Sequence, residues 1–149
     1  MEFRSARAED LPRIVALLAD DDLGRQREVV STPVAAEYVA AFEALRADPH
    51  NDILVAAAGD RVVGCLQITL IRGLSRRGMR RALLEGIRVD RKVRGQCIGE
   101  RLLRFAIEQA RAAGCGLVQL TSDKRRVDAH RFYERLGFVR SHEGMKLEL

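Results

Sequence analysis

The sequence predicts one α/β domain of the α+β kind, in which a parallel unit follows antiparallel strands in a mixed sheet. Three observations carry this reading. The chain has 149 residues, the length of one domain with a core of its own. Apolar spacing is helical over much of the first third, then alternates as strands do. Around residues 83–121 the order is strand, glycine-containing loop, helix, strand. That is a βαβ unit, expected to be right-handed with its two strands parallel. Ligands in such units bind at the carboxyl ends of the strands, where the helix begins.

Each element has a local reason. "MEFRSA" reads as a short first strand. "AEDLPRIVALLADD" follows, with Asp10 near a helix start and Leu11, Ile14, Val15, Leu17 and Leu18 at helical spacing. "DLGRQREVVS" is polar and irregular, hence a loop. In "TPVAAEYVAAFEALRAD", Thr32 is a good N-cap and Pro33 a good first residue; Val34, Tyr38, Ala41, Phe42 and Leu45 make its expected buried face. "DILVAAAGDRVVGCLQITLI" is a hairpin around Gly59-Asp60. "RGLSRRGMR" is a basic loop, and "RALLEGIRVD" is a strand in which Gly86 marks a bulge or a close backbone approach. A helix runs from the next loop to about Ala113 and stops at Gly114. "GLVQLTS" is a strand, and "VDAHRFYERLGF" is a helix capped by Asp128 and ended by Gly137. "VRSHEGMKLEL" closes the chain as a strand pair or one bent strand. No repeat, low-complexity tract or linker divides residues 1–149, so a single domain is expected.

Composition narrows the classes. Hydrophobic residues make up 47% and charged residues 32%, values of a globular protein. No apolar run approaches the roughly 20 residues of a membrane span, and "MEFRSARAED" lacks the apolar stretch of a signal peptide. Three cysteines at irregular spacing make neither a disulfide framework nor a metal pattern. A cytoplasmic setting, no metal and no membrane partner are the expectations. The formal charge is +5, nearly all of its cations arginine, which suits an anionic ligand or plain surface solubility.

The informative stretch is "VRGQCIGERLL", residues 93–103. Gly95 and Gly99 lie in a basic loop that runs into an amphipathic helix. Free amides and the partial positive charge of a helix N-terminus hold phosphates well, and Arg94 adds a charged donor. The spacing excludes the dinucleotide fingerprint. Glu100 after Gly99 excludes the Walker loop. A loop whose glycines only make a tight turn stays open on these residues alone.

"VDRKVRGQCIGERLLRFAIEQARAAG" followed by "DAHRFYERLGF" resembles the GCN5-related N-acetyltransferase (GNAT) family. That family's R/Q-x-x-G-x-G/A loop reads here Arg94-Gly95-Gln96-Cys97-Ile98-Gly99, with Cys97 in place of the middle glycine. Where members often have proline, this chain has Arg91. The A-x-x-F-Y-x-x-x-G-F block matches at Ala129, Phe132, Tyr133, Gly137 and Phe138. The resemblance covers nearly the whole chain. It implies a GNAT-like acyl-coenzyme A N-acyltransferase fold, a twisted sheet of about six to seven strands flanked by about four helices. It implies acetyl-coenzyme A as cosubstrate, a small-molecule or peptide amine as acceptor, and allows a homodimer.

Residue by residue, the resemblance assigns the pyrophosphate to Arg94, Gly95, Gln96, Cys97, Ile98, Gly99 and Glu100. It assigns the pantetheine arm to a gap beside the strand 83–89, with Ile87, Arg88 and Val89 lining it, and places His130 near the cofactor. Tyr133 matches the general acid. A phenol near pKa 10 can protonate a leaving thiolate near 8.5 when the two are close; packing beside Phe132 is its other reading. An alkyl ammonium near pKa 10 also needs a base. Glu85, a carboxylate in the apolar run "ALLEGI", is the candidate, unless it sits on a solvated face or pairs with Arg88 or Arg81.

The remaining polar residues read more plainly. His142 lines the acceptor pocket or only fills the last strand. Cys65 and Cys115 read as buried residues. Asp20, Asp21 and Asp22 read as solvated surface or as an attraction for a cationic amine. The basic stretches 72–81 and 123–126 lack interleaved aromatic residues, which argues against a nucleic-acid partner; an acidic acceptor or the cofactor's phosphates would explain them. A non-catalytic acyl-coenzyme A sensor or basic interaction module on the same fold is the alternative function.

Overall fold

The computed structural model describes residues 1–149. Five strands form one sheet in the order β1 (Glu2–Ser5), β2 (Asn51–Ala58), β3 (Arg61–Ile71), β4 (Arg81–Val89), β5 (Leu117–Leu120). The first four are antiparallel in sequence order, and β4 and β5 are parallel. The helices are α1 (Leu11–Leu18), α2 (Ala36–Ala47), the single turn α3 (Ser75–Gly78), α4 (Ile98–Ala112) and α5 (Val127–Arg135). The mixed α/β architecture is as expected, and the β2–β3 turn at Gly59-Asp60 falls where the hairpin reading put it.

The sheet has two faces. On one, Leu102, Leu103, Ala106 and Ala110 of α4 pack against Leu54, Leu66, Ala82 and Leu84 in the main core. Partly buried Phe132, Tyr133 and Leu136 of α5 join the same cluster. On the other face, Ile14 and Leu17 of α1 pack on Val55, Val62 and Cys65. Burial pushes the Cys65 thiol up to about 12, so it is an inert core residue.

Four expectations change. The sheet has five strands rather than six or seven, because residues 139–149 form no ladder with the body and are exposed throughout. Helix α2 begins at Ala36 with Ala35 as a cap that makes no side-chain bond. Thr32 is therefore not its cap; Ser31 Oγ instead closes a local turn on the Pro33 carbonyl at 2.9 Å. Of that helix's expected apolar face only Phe42 is buried; Val34, Tyr38 and Leu45 are half-buried and Ala41 is exposed. Helix α5 takes Arg126 as its N-cap position, with Asp128 in the first turn.

What positions the site is β4. Its ladder with β5 runs from Arg81–Leu117 to Leu84–Leu120 and stops, so residues 85–89 have no strand beside them on that edge. Gly86 has φ +59, and the β3–β4 register slips between Cys65 and Gln67. This is the bulge expected at Gly86. The extra residue keeps Ile87 and Val89 against the α4 core and turns Arg88 to the α1 side, where it pairs with Asp21.

Candidate active site

The loop from β4 into α4 is built around Asp90. This buried carboxylate accepts from the Lys92 amide at 3.0 Å and from Arg13 and Arg61, each at 2.6 Å. The Lys92 amide, against the pull of burial and with the two arginines adding to it, holds the carboxyl below its usual range. Asp90 thereby fixes the short 3-10 turn Arg91–Val93 that launches the loop.

Beyond that turn, Gly95 has φ +81 and Cys97 has φ +57, ψ 17. Cys97 thus occupies the left-handed conformation for which glycine is suited, where a non-glycine residue costs roughly 1–2 kcal/mol. Gly99 serves differently: a Cβ there would stand 3.3 Å from a Val89 methyl and 3.6 Å from the Phe132 ring. Six consecutive amides, from Gly95 to Glu100, donate to nothing within the chain; the first α4 bond at this end runs from Arg101 N to Cys97 O. Residues 94–97 are exposed. Six free N–H groups at a helix N-terminus are an anion cradle. Acetyl-coenzyme A carries a pyrophosphate that fits this donor set.

On the neighbouring β4 edge, the Ile87 carbonyl accepts from Arg88 at 2.9 Å and the Val89 carbonyl from Arg94 Nε at 3.3 Å. Glu85 is exposed on the α1 side of β4 and is paired with neither Arg81 nor Arg88. His130 sits in the first half of α5 with Nε2 2.9 Å from the Asp123 carbonyl. That contact ties the helix to the preceding loop. Tyr133 is half-buried, 5.4 Å from the Phe132 ring and 6.0 Å from the Phe138 ring. Its hydroxyl makes no hydrogen bond within the chain. Burial pushes the phenol above its ordinary value, and the charges of Arg88 and Arg126 draw it partly back.

Asp21 joins these parts, and the sequence reading underrated it. It is not solvated surface: Oδ2 lies 2.6 Å from Arg126 and 3.4 Å from Arg88, and Oδ1 accepts from the Gly24 amide at 2.5 Å. Burial alone would raise its pKa, but the Gly24 amide and the two arginines hold it low. Asp20 also pairs, with Arg91 at 3.3 Å, whereas Asp22 stays at the surface. The only signal in the sequence was the run of three aspartates before a turn. His142 is exposed on the C-terminal segment beside Ser141.

The basic stretch 72–81 stands before β4, at the opposite end of that strand from the anion cradle. It therefore does not face the cradle. Of the second basic stretch, Arg125 pairs with Asp123, Arg126 with Asp21 and Lys124 with Glu143. No group of His, Cys, Asp and Glu gathers as a metal site would require, and no helix is long and apolar enough to cross a membrane. A cavity of about 480 Å³ lies elsewhere, among α2, β2 and the end of α4, with Asp48, His50 and Gln109 in its wall.

Residues 14–138 match the family model described as the acetyltransferase (GNAT) family. The chain belongs to that family. As a GNAT member it is an N-acetyltransferase that uses acetyl-coenzyme A. It is 32% identical over 144 residues to the aminoalkylphosphonate N-acetyltransferase of Salmonella typhimurium, across 95% of this chain and 86% of that one. It is 34% identical over 89 residues to the glucosamine 6-phosphate N-acetyltransferase of Trypanosoma brucei brucei, across 60% and 58% of the two chains. A crystal structure described as a transcriptional regulator from Bacillus halodurans superposes with a TM-score of 0.97 at 47% identity, over 99% of both chains.

Proposed function

We propose that this GNAT enzyme acetylates a primary amine on a small molecule that also carries an anionic group of the phosphonate or phosphate kind. The observation that carries this is the convergence of Arg88 and Arg126 on Asp21 beside Tyr133. Two arginines held by one carboxylate leave donors for a second anion, and arginine matches phosphonate oxygens with paired N–H groups. The substrates printed in the names of the two acetyltransferase relatives carry such groups.

The chain's own residues would divide the work. Amides 95–100 and Arg94 hold the pyrophosphate, and the β4 edge at Ile87, Arg88 and Val89 aligns the pantetheine arm. Acetyl-coenzyme A supplies the activated thioester. Glu85, directly or through water, takes a proton from the acceptor ammonium. Backbone amides of β4 beyond Gly86 stabilise negative charge on the carbonyl oxygen. As the N–C bond replaces the S–C bond, Tyr133 gives its phenolic proton to sulfur. A raised phenol pKa keeps that proton in place at neutral pH. His130 orders the loop that presents Arg126.

Thiol release with an amine panel tests the acceptor class. Aminoalkylphosphonates and amino-sugar phosphates should turn over well above spermidine or a lysine peptide. Arg126→Ala should raise KM for the anionic amines about tenfold with little change in kcat. Equal turnover of polyamines or peptides would overturn the reading.

A further inference from the structure

Glu85 has a polar neighbour on the next strand that the acetyl-transfer steps leave without a task. From Cys65 onward β3 alternates between the two sheet faces: Leu66 and Ile68 lie in the α4 core, and Cys65 packs under α1. Gln67 and Thr69 therefore share the α1 face with Cys65. The antiparallel register sets Gln67 directly opposite Glu85, and Thr69 opposite Asn51 on the other side. Side chains so paired stand about 4.5–5.5 Å apart at Cβ. Helix α1 ends over Gly86, where a Leu18 methyl would stand 3.6 Å from an added Cβ. Beyond that end Glu85 is exposed and Gln67 and Thr69 are half-buried.

A chain of side-chain bonds orients the Gln67 amide. Asn51 Nδ2 donates to Asp48 Oδ2 at 2.7 Å. With its nitrogen committed to a carboxylate, Asn51 turns its oxygen to β3, where Oδ1 accepts from Thr69 Oγ1 at 2.7 Å and from Gln67 Nε2 at 3.3 Å. Only the nitrogen of the Gln67 amide can meet that oxygen. Gln67 Nε2 also lies 3.4 Å from Thr69 Oγ1. The donors of Gln67 are thus spent toward β2 and along β3, while its Oε1 accepts from nothing within the chain. The Glu85 carboxylate likewise pairs with neither Arg81 nor Arg88. Two acceptors without donors stand side by side, one residue before the Gly86 bulge.

We infer that Gln67 contacts the acceptor nitrogen and makes the enzyme select primary over secondary amines. The inference rests on the reading of Glu85 as the base. A primary ammonium carries three N–H protons. Glu85 takes one before attack. A second leaves the nitrogen as the N–C bond replaces the S–C bond, and makes good the proton that Tyr133 gives to sulfur. The third stays in the product amide, and Gln67 Oε1 accepts that N–H throughout. Holding it turns the nitrogen lone pair toward the thioester at the β4 edge. A secondary ammonium has only the two protons that are lost, so in the transition state it leaves Gln67 Oε1 unpaired, and a polar group left unpaired costs rate.

Thiol release by the full chain tests this with one amine and its N-methyl derivative. The amine is the fastest of the panel: aminoethylphosphonate if the anionic-acceptor reading holds, spermidine or a lysine peptide if it fails. The quantity read is the preference, the ratio of the two kcat/KM values, taken within one preparation so that a loss of folded enzyme cancels. The wild type should prefer the primary amine. The preference should fall about tenfold in Gln67→Leu, the worth of one hydrogen bond, and stay within about twofold in Gln67→Glu, which keeps an oxygen acceptor there. Glu85→Gln tests the base separately: it should slow both amines and leave the preference in place, and normal rates in that variant would sink the base reading alone. A preference unchanged in Gln67→Leu, or lost equally in Gln67→Leu and Gln67→Glu, would overturn the inference. So would a Gln67→Leu enzyme inactive with both amines, the result expected of a residue that only holds the sheet.

Discussion

Arg126 approaches Asp21 to 2.6 Å, and this contact ties the loop after α1 to the start of α5 beside the edge that β4 leaves open. Arg88, from β4 itself, meets the same carboxylate oxygen at 3.4 Å. Asp21→Asn should cost about 1.5–3 kcal/mol, the range for a bond to a charged group. The folded-state pKa is lowered, so the stability it contributes is present above the unfolded carboxylate value of about 3.9 and is lost as pH falls through the folded value. Acid titration of unfolding should therefore show a shallower loss below pH 4 in Asp21→Asn than in the wild type.

Cys97 is left-handed where most residues resist that shape. Cys97→Gly should raise stability by up to about 1 kcal/mol, the relieved strain less the greater freedom of glycine in the unfolded chain. Acetyl-coenzyme A should bind as well or better. Cys97→Val should lose stability, because a β-branched residue tolerates positive φ least. Thermal melts of the pair check both signs.

How much of this was legible beforehand divides along a physical line. The free amides before α4 and the Gly86 bulge were readable because local backbone chemistry writes them into short stretches. Asp21 was not: its partners Arg88 and Arg126 lie 67 and 105 residues away, and a run of three aspartates carries no mark of which one is buried. Asp90 escaped for the same reason, since Arg13 and Arg61 come from α1 and β3. The missing strand failed differently. The stretch "VRSHEGMKLEL" was read as a strand pair or one bent strand, and residues 139–149 form none.

Asp90→Ala should lower stability by about 2 kcal/mol, the value of charged hydrogen bonds whose arginine partners are partly screened by solvent. For a chain of this size that is roughly 4–8 °C in Tm. The loop from Arg91 should loosen with it, so affinity for acetyl-coenzyme A should fall further than in a variant destabilised equally at Leu84, which is buried in the main core.

The two assigned proton carriers separate by pH. Tyr133→Phe should lower kcat about 100-fold and leave acetyl-coenzyme A affinity unchanged. Glu85→Gln should lower kcat/KM about tenfold at neutral pH, with the defect shrinking as pH approaches the amine pKa near 10, where the acceptor is already deprotonated. A defect of constant size up to pH 9.5 would remove Glu85 from the role of base.

The cradle formed by the six free amides from Gly95 to Glu100 is tested most directly by calorimetric titration of the full chain with acetyl-coenzyme A and with S-acetylpantetheine, which lacks the pyrophosphate. Binding of the first at a Kd of about 10 μM, with the second at least about 100-fold weaker, is the predicted result. Equal affinity for the two, or no heat with either, would contradict the account.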